Sequence, residues 1–204
     1  RSANARIVER FRREAEATGR IHHRNIIGVH HSGCEQGLHY FVMDLVDGRN
    51  LEDIIFRLRR NTEDVGDFLS SVSDEISDGR GATDSANGVE YSSDAYIRTM
   101  AQLIREVADA LHVSHAAGLV HRDIKPSNLI LSREGRLVLT DFGLVQDMQA
   151  QTFTQTGEVL GTPLYMSPEQ IAGRSKRSSG LTDVYSLGAT LYEALSLKPP
   201  FAGS

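Results

Sequence analysis

One stretch decides how this chain is interpreted: His121-Arg122-Asp123-Ile124-Lys125-Pro126-Ser127-Asn128. It is followed by an apolar run at 129–131, a polar turn at 133–135 and a second apolar run at 137–139. Two apolar runs that flank a Gly-containing turn predict a β-hairpin, with its centre between residues 134 and 135. A hairpin folded there would bring Asn128 and Asp141 side by side at its open end.

The side chains at this open end suit phosphate chemistry. The amide oxygen of Asn128 and the carboxylate of Asp141 are hard oxygen ligands of the kind that Mg²⁺ prefers. Asp123 precedes the hairpin and opens toward the same end, where a carboxylate can accept or orient a hydroxyl proton. Lys125 adds a mobile positive charge that can follow a transferring phosphoryl group. Together these residues predict phosphoryl transfer from a metal-bound nucleotide.

These motifs resemble those of eukaryotic-like, bacterial-type serine/threonine protein kinases. Residues 121–128 are similar to the kinase catalytic loop, and the Asp-Phe-Gly triplet at 141–143 is similar to its metal-binding triplet. Residues 161–169, Gly-Thr-Pro-Leu-Tyr-Met-Ser-Pro-Glu, resemble the substrate-proximal end of an activation segment. Residues 183–188 resemble the start of the buried helix that anchors the catalytic loop, with Asp183 as a structural hydrogen-bond acceptor.

The amino-terminal part resembles the end of a kinase N-lobe. The sequence Phe-Arg-Arg-Glu-Ala at 11–15 is similar to helix αC, which makes Glu14 the partner of the ATP-contacting lysine. Residues 42–48 resemble the hinge that holds adenine. The resemblance makes Met43 the gatekeeper and implies that backbone groups of Asp44 and Val46 face the adenine.

The resemblance also implies a role for each residue of the catalytic loop. Asp123 would be the catalytic base, Lys125 would contact the γ-phosphate of ATP, and Asn128 with Asp141 would hold Mg²⁺. Lys125, together with the substrate-proximal Thr162, favours serine and threonine over tyrosine substrates.

Arg122 adds an expectation about regulation. A guanidinium beside the catalytic base is typical of kinases that are switched on when a phosphate on the activation loop pairs with it. The candidate phosphorylation sites are Thr154 and Thr156, and Thr152 ranks behind them. Dimers that phosphorylate each other in trans are compatible with this kind of activation.

The expected architecture is the two-lobed α+β fold of protein kinases. Residues 1–47 would form a partial N-lobe and residues 48–204 a partial helical C-lobe. At about 61–94 the chain carries nine acidic residues against the single basic Arg80. Because such a stretch can bury little apolar surface, it is predicted to be a flexible insertion.

Two family features have no match in these 204 residues. There is no Gly-x-Gly-x-x-Gly motif, and no lysine precedes Lys125. The arginine that kinases pair with the residue at Glu169 is also missing. These departures predict that the sequence is a kinase domain cut at both ends and that this segment alone is inactive.

The amino-acid composition limits the kinds of binding partner that the chain is expected to have. With 40% hydrophobic residues, 24% charged residues and a net charge of -5, the chain is typical of a globular protein and gives no reason to expect nucleic acid. No apolar run is long enough to span a bilayer. The expected location is therefore cytoplasmic, with any membrane anchor lying outside this segment, and the expected partners are ATP and protein substrates.

Three alternatives to a kinase fit the sequence less well. A pseudokinase or scaffold would be expected to have lost catalytic residues, yet Asp123, Lys125, Asn128 and Asp141 are all present. Small-molecule phosphotransferases share a His-x-Asp-x-x-x-x-Asn loop but lack the lysine and the Asp-Phe-Gly triplet. A zinc site at His112 and His115 lacks a nearby third ligand.

Overall fold

The computed structural model describes residues 17–61, 65–76, 93–142, 163–173 and 179–201. The strands in these ranges are β1 (Val29–Glu35), β2 (Leu38–Met43), β3 (Gly48–Asn50), β4 (Leu129–Ser132) and β5 (Leu137–Leu139). The helices are α1 (Leu51–Arg59), α2 (Val65–Ile76), α3 (Ser93–Ala116), α4 (Pro168–Ile171) and α5 (Gly180–Ser196). Single 3₁₀ turns lie at Pro126–Asn128 and Pro163–Tyr165. None of the helices in these ranges is both long and apolar enough to cross a membrane.

Strands β1 and β2 form an antiparallel hairpin that turns at Gln36 and Gly37, both with positive φ. A two-residue turn of this kind matches the twist of the strands it joins. Ser32 and Gly33, which in the sequence resemble part of the break between two β-like runs, lie inside β1 and pair with β2. Both strands are largely exposed, so polar residues occur within them and imitate a turn signal.

The second sheet has the order β3-β4-β5 and carries the catalytic-loop hairpin. Leu129 pairs with Leu139, and the amide of Ser132 donates to the Arg136 carbonyl at 2.9 Å. The hairpin is therefore centred on residue 134, and Asn128 lies opposite Thr140 rather than Asp141. The predicted centre was off by half a residue because the loop has three residues, with Gly135 at φ +71° supplying its left-handed position.

The i, i+3, i+4 spacing of apolar residues between Ile97 and Leu111 predicts a long core-facing helix that stops near Gly118, and α3 is this helix. Its fully or nearly fully buried side chains recur at helical spacing: Met100, Leu103, Ile104, Val107 and Leu111. The helix ends at Ala116, and Gly118 follows with φ +80°, where its amide donates to the His115 carbonyl at 2.9 Å. The expected stop near Gly118 is confirmed.

Helix α2 corrects, for residues 65–76 only, the prediction that residues 61–94 form a flexible acidic insertion. Residues 65–76 are helical, and Phe68, Leu69 and Val72 are buried in the main hydrophobic cluster. The Phe68 ring packs edge-on against Tyr96, with 5.5 Å between ring centroids. The high number of acidic residues drew attention away from three apolar residues, at positions i, i+1 and i+4. These three are sufficient to pack one helix against the core. Of the rest of the predicted insertion, residues 62–64 and 77–92 lie outside the described residues.

Phe68 gives a test of this correction. Because its side chain is fully buried, Phe68→Ala should lower the free energy of unfolding by about 3–5 kcal/mol. Phe56 is a matched control, since it is 48% exposed and lies under the Arg60 guanidinium at 4.6 Å, so Phe56→Ala should cost less than about 1.5 kcal/mol. Urea denaturation of the two variants measures both values. Equal losses would show that α2 is not part of the core.

Candidate active site

The carboxylate of Asp123 is held on one side only. Its Oδ2 accepts from Lys125 Nζ at 2.9 Å and from Asn128 Nδ2 at 3.2 Å. Among the described residues, Oδ1 has no hydrogen-bond donor. The Asp123 and Lys125 side chains are both about one third exposed, at 35% and 34%. One oxygen is therefore fixed by the protein while the other is available to a hydroxyl from solvent or substrate.

The metal-binding assignment of Asn128 and Asp141 fits the geometry. Asn128 Nδ2 donates to the carbonyl of Asp123 at 2.7 Å as well as to its carboxylate, so the amide oxygen is the atom left for a cation. Thr140 donates its amide to the Asn128 carbonyl at 3.0 Å, which places Asp141 next to this residue. Asp141 is exposed, and no described residue forms a hydrogen bond or ion pair with its carboxylate. Free amide and carboxylate oxygens form a donor set that suits Mg²⁺.

The ring of His121 fixes the backbone next to Asp123 and Asp141. It is fully buried and packs against Phe142 with 4.7 Å between ring centroids, as expected for a packing residue. Its Nδ1 accepts from the Asp123 amide at 3.2 Å, and its Nε2 lies 2.8 Å from the Thr140 carbonyl. An amide can only donate and a carbonyl can only accept, so the imidazole is neutral with its proton on Nε2.

This arrangement predicts a dependence of stability on pH. Burial lowers the pKa of His121. The unfolded chain then takes up a proton near pH 6.5 that the native protein refuses, so the free energy of unfolding should fall as pH drops below about 6.5. Replacing His121 by Asn should flatten the slope between pH 5 and 6.5, whereas replacing the exposed His22 should leave it unchanged. Denaturation at a series of pH values measures the slope, and equal slopes for both variants would contradict the assignment.

Asp183 anchors the catalytic loop, as the sequence predicts. It is fully buried; its Oδ2 accepts from the His121 amide at 2.8 Å and its Oδ1 from the Arg122 amide at 2.7 Å. His115 Nε2 also lies 2.7 Å from Oδ2. This contact gives His115 a structural role, and no cluster of metal-ligating side chains occurs in the described ranges.

Arg122 has φ +69°, a conformation that costs a non-glycine residue roughly 1–3 kcal/mol and needs support from its surroundings. Asp183 holds its amide, and Gln170 Nε2 donates to its carbonyl at 2.8 Å. Gln170 was not among the predicted site residues. Its position three residues after Ser167 at the start of α4 is a helix-capping signal, and its side-chain oxygen does accept from the Ser167 amide at 2.9 Å.

A second polar network joins α1, α5 and the turn at Pro163–Tyr165. Glu193 is buried, and one of its oxygens accepts from Arg59 Nη2 at 3.0 Å while the other accepts from the Tyr165 hydroxyl. Burial, reinforced by the hydrogen bond to Glu193, raises the pKa of Tyr165. The Tyr165 carbonyl also accepts from Ser186 Oγ at 2.7 Å, so this turn is fixed to α5. Glu169, expected to lack its arginine, accepts from Thr182 Oγ1 at 2.8 Å instead.

The predicted hinge lies at the end of β2 and in the extended residues 44–47. Met43 pairs with Val29 across the β1–β2 hairpin and is 37% exposed. The Asp44 amide donates to the Gly28 carbonyl at 2.9 Å, so any contact of the Asp44 backbone with adenine would use its carbonyl. The roles of Met43, Asp44 and Val46 in binding adenine stay predictions.

Several predicted site residues lie outside the described residues. These are Glu14, Thr154, Thr156 and Thr162. The four-residue spacing of Ile7, Phe11 and Ala15 predicts an amphipathic helix at 7–17, of which the structure describes only Ala17, which is helical. The structure therefore brings together Asp123, Lys125 and Asn128 and places Asp141 beside them. The roles of all the predicted site residues stay predictions.

Comparisons with known proteins show the family to which the chain belongs. The family model described as "Protein kinase domain" matches residues 1–204. The chain is 36% identical over 207 residues to serine/threonine-protein kinase PknA of Mycobacterium tuberculosis, covering 99% of this chain and 40% of that protein. It is 34% identical over 201 residues to a probable serine/threonine-protein kinase PknB of Corynebacterium glutamicum, covering 96% of this chain and 26% of that protein.

A solved structure confirms the α+β architecture. The crystal structure of the Mycobacterium tuberculosis PknI kinase domain superposes with a TM-score of 0.61 at 26% sequence identity. The match covers 99% of this chain and 62% of that domain. The chain thus spans less than half the length of the curated relatives and about three fifths of a solved kinase domain.

Proposed function

Since the chain belongs to the protein kinase domain family, we propose that it supplies the catalytic loop of a serine/threonine kinase that transfers the γ-phosphate of ATP to protein hydroxyl groups. The observation that best supports this proposal is that the described residues donate hydrogen bonds to only one of the two carboxylate oxygens of Asp123. Lys125 and Asn128 occupy its Oδ2, and no described residue donates to Oδ1. The resemblance of residues 121–128 to a kinase catalytic loop and the names of the relatives support the same reaction.

In the proposed reaction Asp123 Oδ1 accepts the proton of a serine or threonine hydroxyl, whose oxygen forms a bond to the γ-phosphorus. The bond between that phosphorus and the bridging oxygen breaks, and ADP leaves with the electron pair. Lys125 lies 2.9 Å from Asp123 and contributes positive charge where the transferred group accumulates negative charge. Bound Mg²⁺, held by Asn128 and Asp141, would neutralise charge on the phosphates.

The substrate class is tested with the complete enzyme and γ-labelled ATP. We expect label in a generic protein substrate, recovered as phosphoserine and phosphothreonine, and none in aminoglycosides or choline. Label in a small amine or sugar, with the protein unlabelled, would instead assign the chain to the small-molecule phosphotransferases.

We also place the domain in the cytoplasm with its protein substrates.

Phosphorylation of the activation loop is the proposed means of regulation. Thr154→Ala combined with Thr156→Ala should lower kcat of the complete enzyme at least about tenfold, because Arg122 would lose the phosphate that pairs with it. Thr152→Ala, in the same segment, is the control and should leave kcat within about twofold. Steady-state kinetics after incubation with ATP measure both variants. An unchanged kcat in the double variant would contradict this switch.

A further inference from the structure

Helix α2 lies against the tip of the hairpin that carries the candidate active site. A Cβ atom built on Gly135 would lie 2.8 Å from the carbonyl oxygen of Val72 and 3.4 Å from its Cα. Both contacts are with main-chain atoms, which cannot turn aside as a side chain can. The absence of a side chain at residue 135 therefore allows the hairpin tip and the helix backbone to touch.

The apolar residues of the same helix belong to the hydrophobic cluster that also contains one face of the hairpin. Leu129 pairs with Leu139 and Leu131 pairs with Leu137, so the four leucines lie on one face of the two strands. All four belong to one hydrophobic cluster with the buried residues of α2: Phe68, Leu69 and Val72. Hydrogen bonds at the strand edges restrain the hairpin within the sheet, but packing on this face restrains movement out of it.

Helix α2 is also fixed to the helical framework. Phe68 packs edge-on against Tyr96 of α3, and the Tyr96 hydroxyl donates to the Ala194 carbonyl of α5 at 2.6 Å. Burial raises the pKa of Tyr96 to about 12, so this donor keeps its proton. Helix α5 also carries Asp183, which holds the catalytic loop. Through Tyr96, α2 therefore links the hairpin tip to α5, the helix that anchors the catalytic loop.

We propose that α2 is a brace for the catalytic hairpin, with Phe68, Val72 and Gly135 as positioning residues for Asn128 and Asp141. The consequence for phosphoryl transfer rests on the proposed function, whereas the mechanical role does not. Tip and base are joined by strands of three to four residues, so a displacement of the tip is passed directly to the residues at the base. Helix α2, at residues 65–76 of the acidic stretch, thereby contributes to the position of the site residues.

Gly135→Ala tests the contact, and Gly37→Ala is the matched control. Both glycines lie in hairpin turns with positive φ, at +71° and +83°, so both variants carry the same kind of backbone strain. A Cβ on Gly37 would have nothing within 4 Å, whereas one on Gly135 would strike the backbone of α2. A difference between the two variants therefore reports the contact with α2 and not the strain of the turn.

The primary readout is amide hydrogen exchange in the complete enzyme without nucleotide, which requires no catalytic activity. Gly135→Ala should accelerate exchange of the Thr140 amide, at the base of the hairpin, at least about fivefold, and Gly37→Ala should not change it. In kinetic assays Gly135→Ala should lower kcat with the KM for protein substrate within about twofold. If exchange at Thr140 is the same in the two variants, the brace is refuted, whether or not the enzyme transfers phosphate.

Phe68→Leu supplies a milder second perturbation should Gly135→Ala fold poorly. The smaller leucine side chain weakens the packing of α2 against the core. The variant should therefore itself accelerate exchange of the Thr140 amide by about two- to threefold. In the double variant the helix can shift away from the new Cβ, so the combined effect should be smaller than the product of the two single effects. Exchange at Thr140 that is unchanged in Phe68→Leu, or effects that multiply in the double variant, would overturn the proposal.

Discussion

Asp123→Asn in the complete enzyme should lower kcat by about 10²–10⁴-fold, the range that a positioned general base contributes. Asparagine keeps the size of the side chain and an oxygen for Lys125, but it cannot take up the hydroxyl proton. The KM for ATP should stay within about threefold, since Asn128 and Asp141 are untouched. Steady-state transfer of labelled phosphate to a protein substrate measures both constants.

The control for this variant is Asp53→Asn. Asp53 forms an exposed ion pair with Arg57 at 2.8 Å on α1, and its replacement should leave kcat within about twofold. The melting temperatures of both variants should lie within a few degrees of the parent, because Asp123 is one third exposed and its loss creates no buried cavity. A kcat for Asp123→Asn within about tenfold of the parent would remove Asp123 from the role of base.

Asp183→Ala should destabilise the folded domain strongly, although it removes only one small polar side chain. The carboxylate is fully buried and accepts from the amides of His121 and Arg122 and contacts His115. Truncation leaves two buried amides without an acceptor, at about 1–3 kcal/mol each, so the free energy of unfolding should fall by about 3–5 kcal/mol. Chemical denaturation measures this loss.

Asp109→Ala provides the comparison for Asp183→Ala. Asp109 is 63% exposed and pairs with Arg105 at 3.5 Å, so its removal should cost less than about 0.5 kcal/mol. Asp183→Ala should also lower kcat even under conditions where the variant is fully folded, because the left-handed backbone at Arg122 loses one of its two supports. A cost similar to that of Asp109→Ala would show that the loop is held by other contacts.

The parts of the site that the sequence predicted are those whose chemistry demands fixed residue types at short spacing. Asp123, Lys125 and Asn128 lie within six residues, so their proximity follows from the local chain. The helix that begins near Asp183 and the stop near Gly118 were also predicted, since apolar periodicity and a glycine with positive φ are local signals.

The parts that could not be predicted depend on contacts between residues far apart in the chain. Gln170 reaches the Arg122 carbonyl across 48 residues, and His115 reaches Asp183 across 68. Helix α2 was missed because the prediction used the composition of the whole acidic segment, whereas three apolar residues within it decide the packing. The hairpin centre was missed by half a residue because loops of two and of three residues place Asn128 opposite different partners.

The most direct test of the central claim is a single-turnover experiment with the complete enzyme in excess over γ-labelled ATP, in the presence of a serine-containing protein substrate. We expect the label to move into phosphoserine or phosphothreonine with release of an equal amount of ADP. Asp123→Asn should bind nucleotide but carry out this transfer about 10²–10⁴-fold more slowly. Parent enzyme that binds the nucleotide but leaves all of the label in ATP would contradict the account and identify the domain as a binding module.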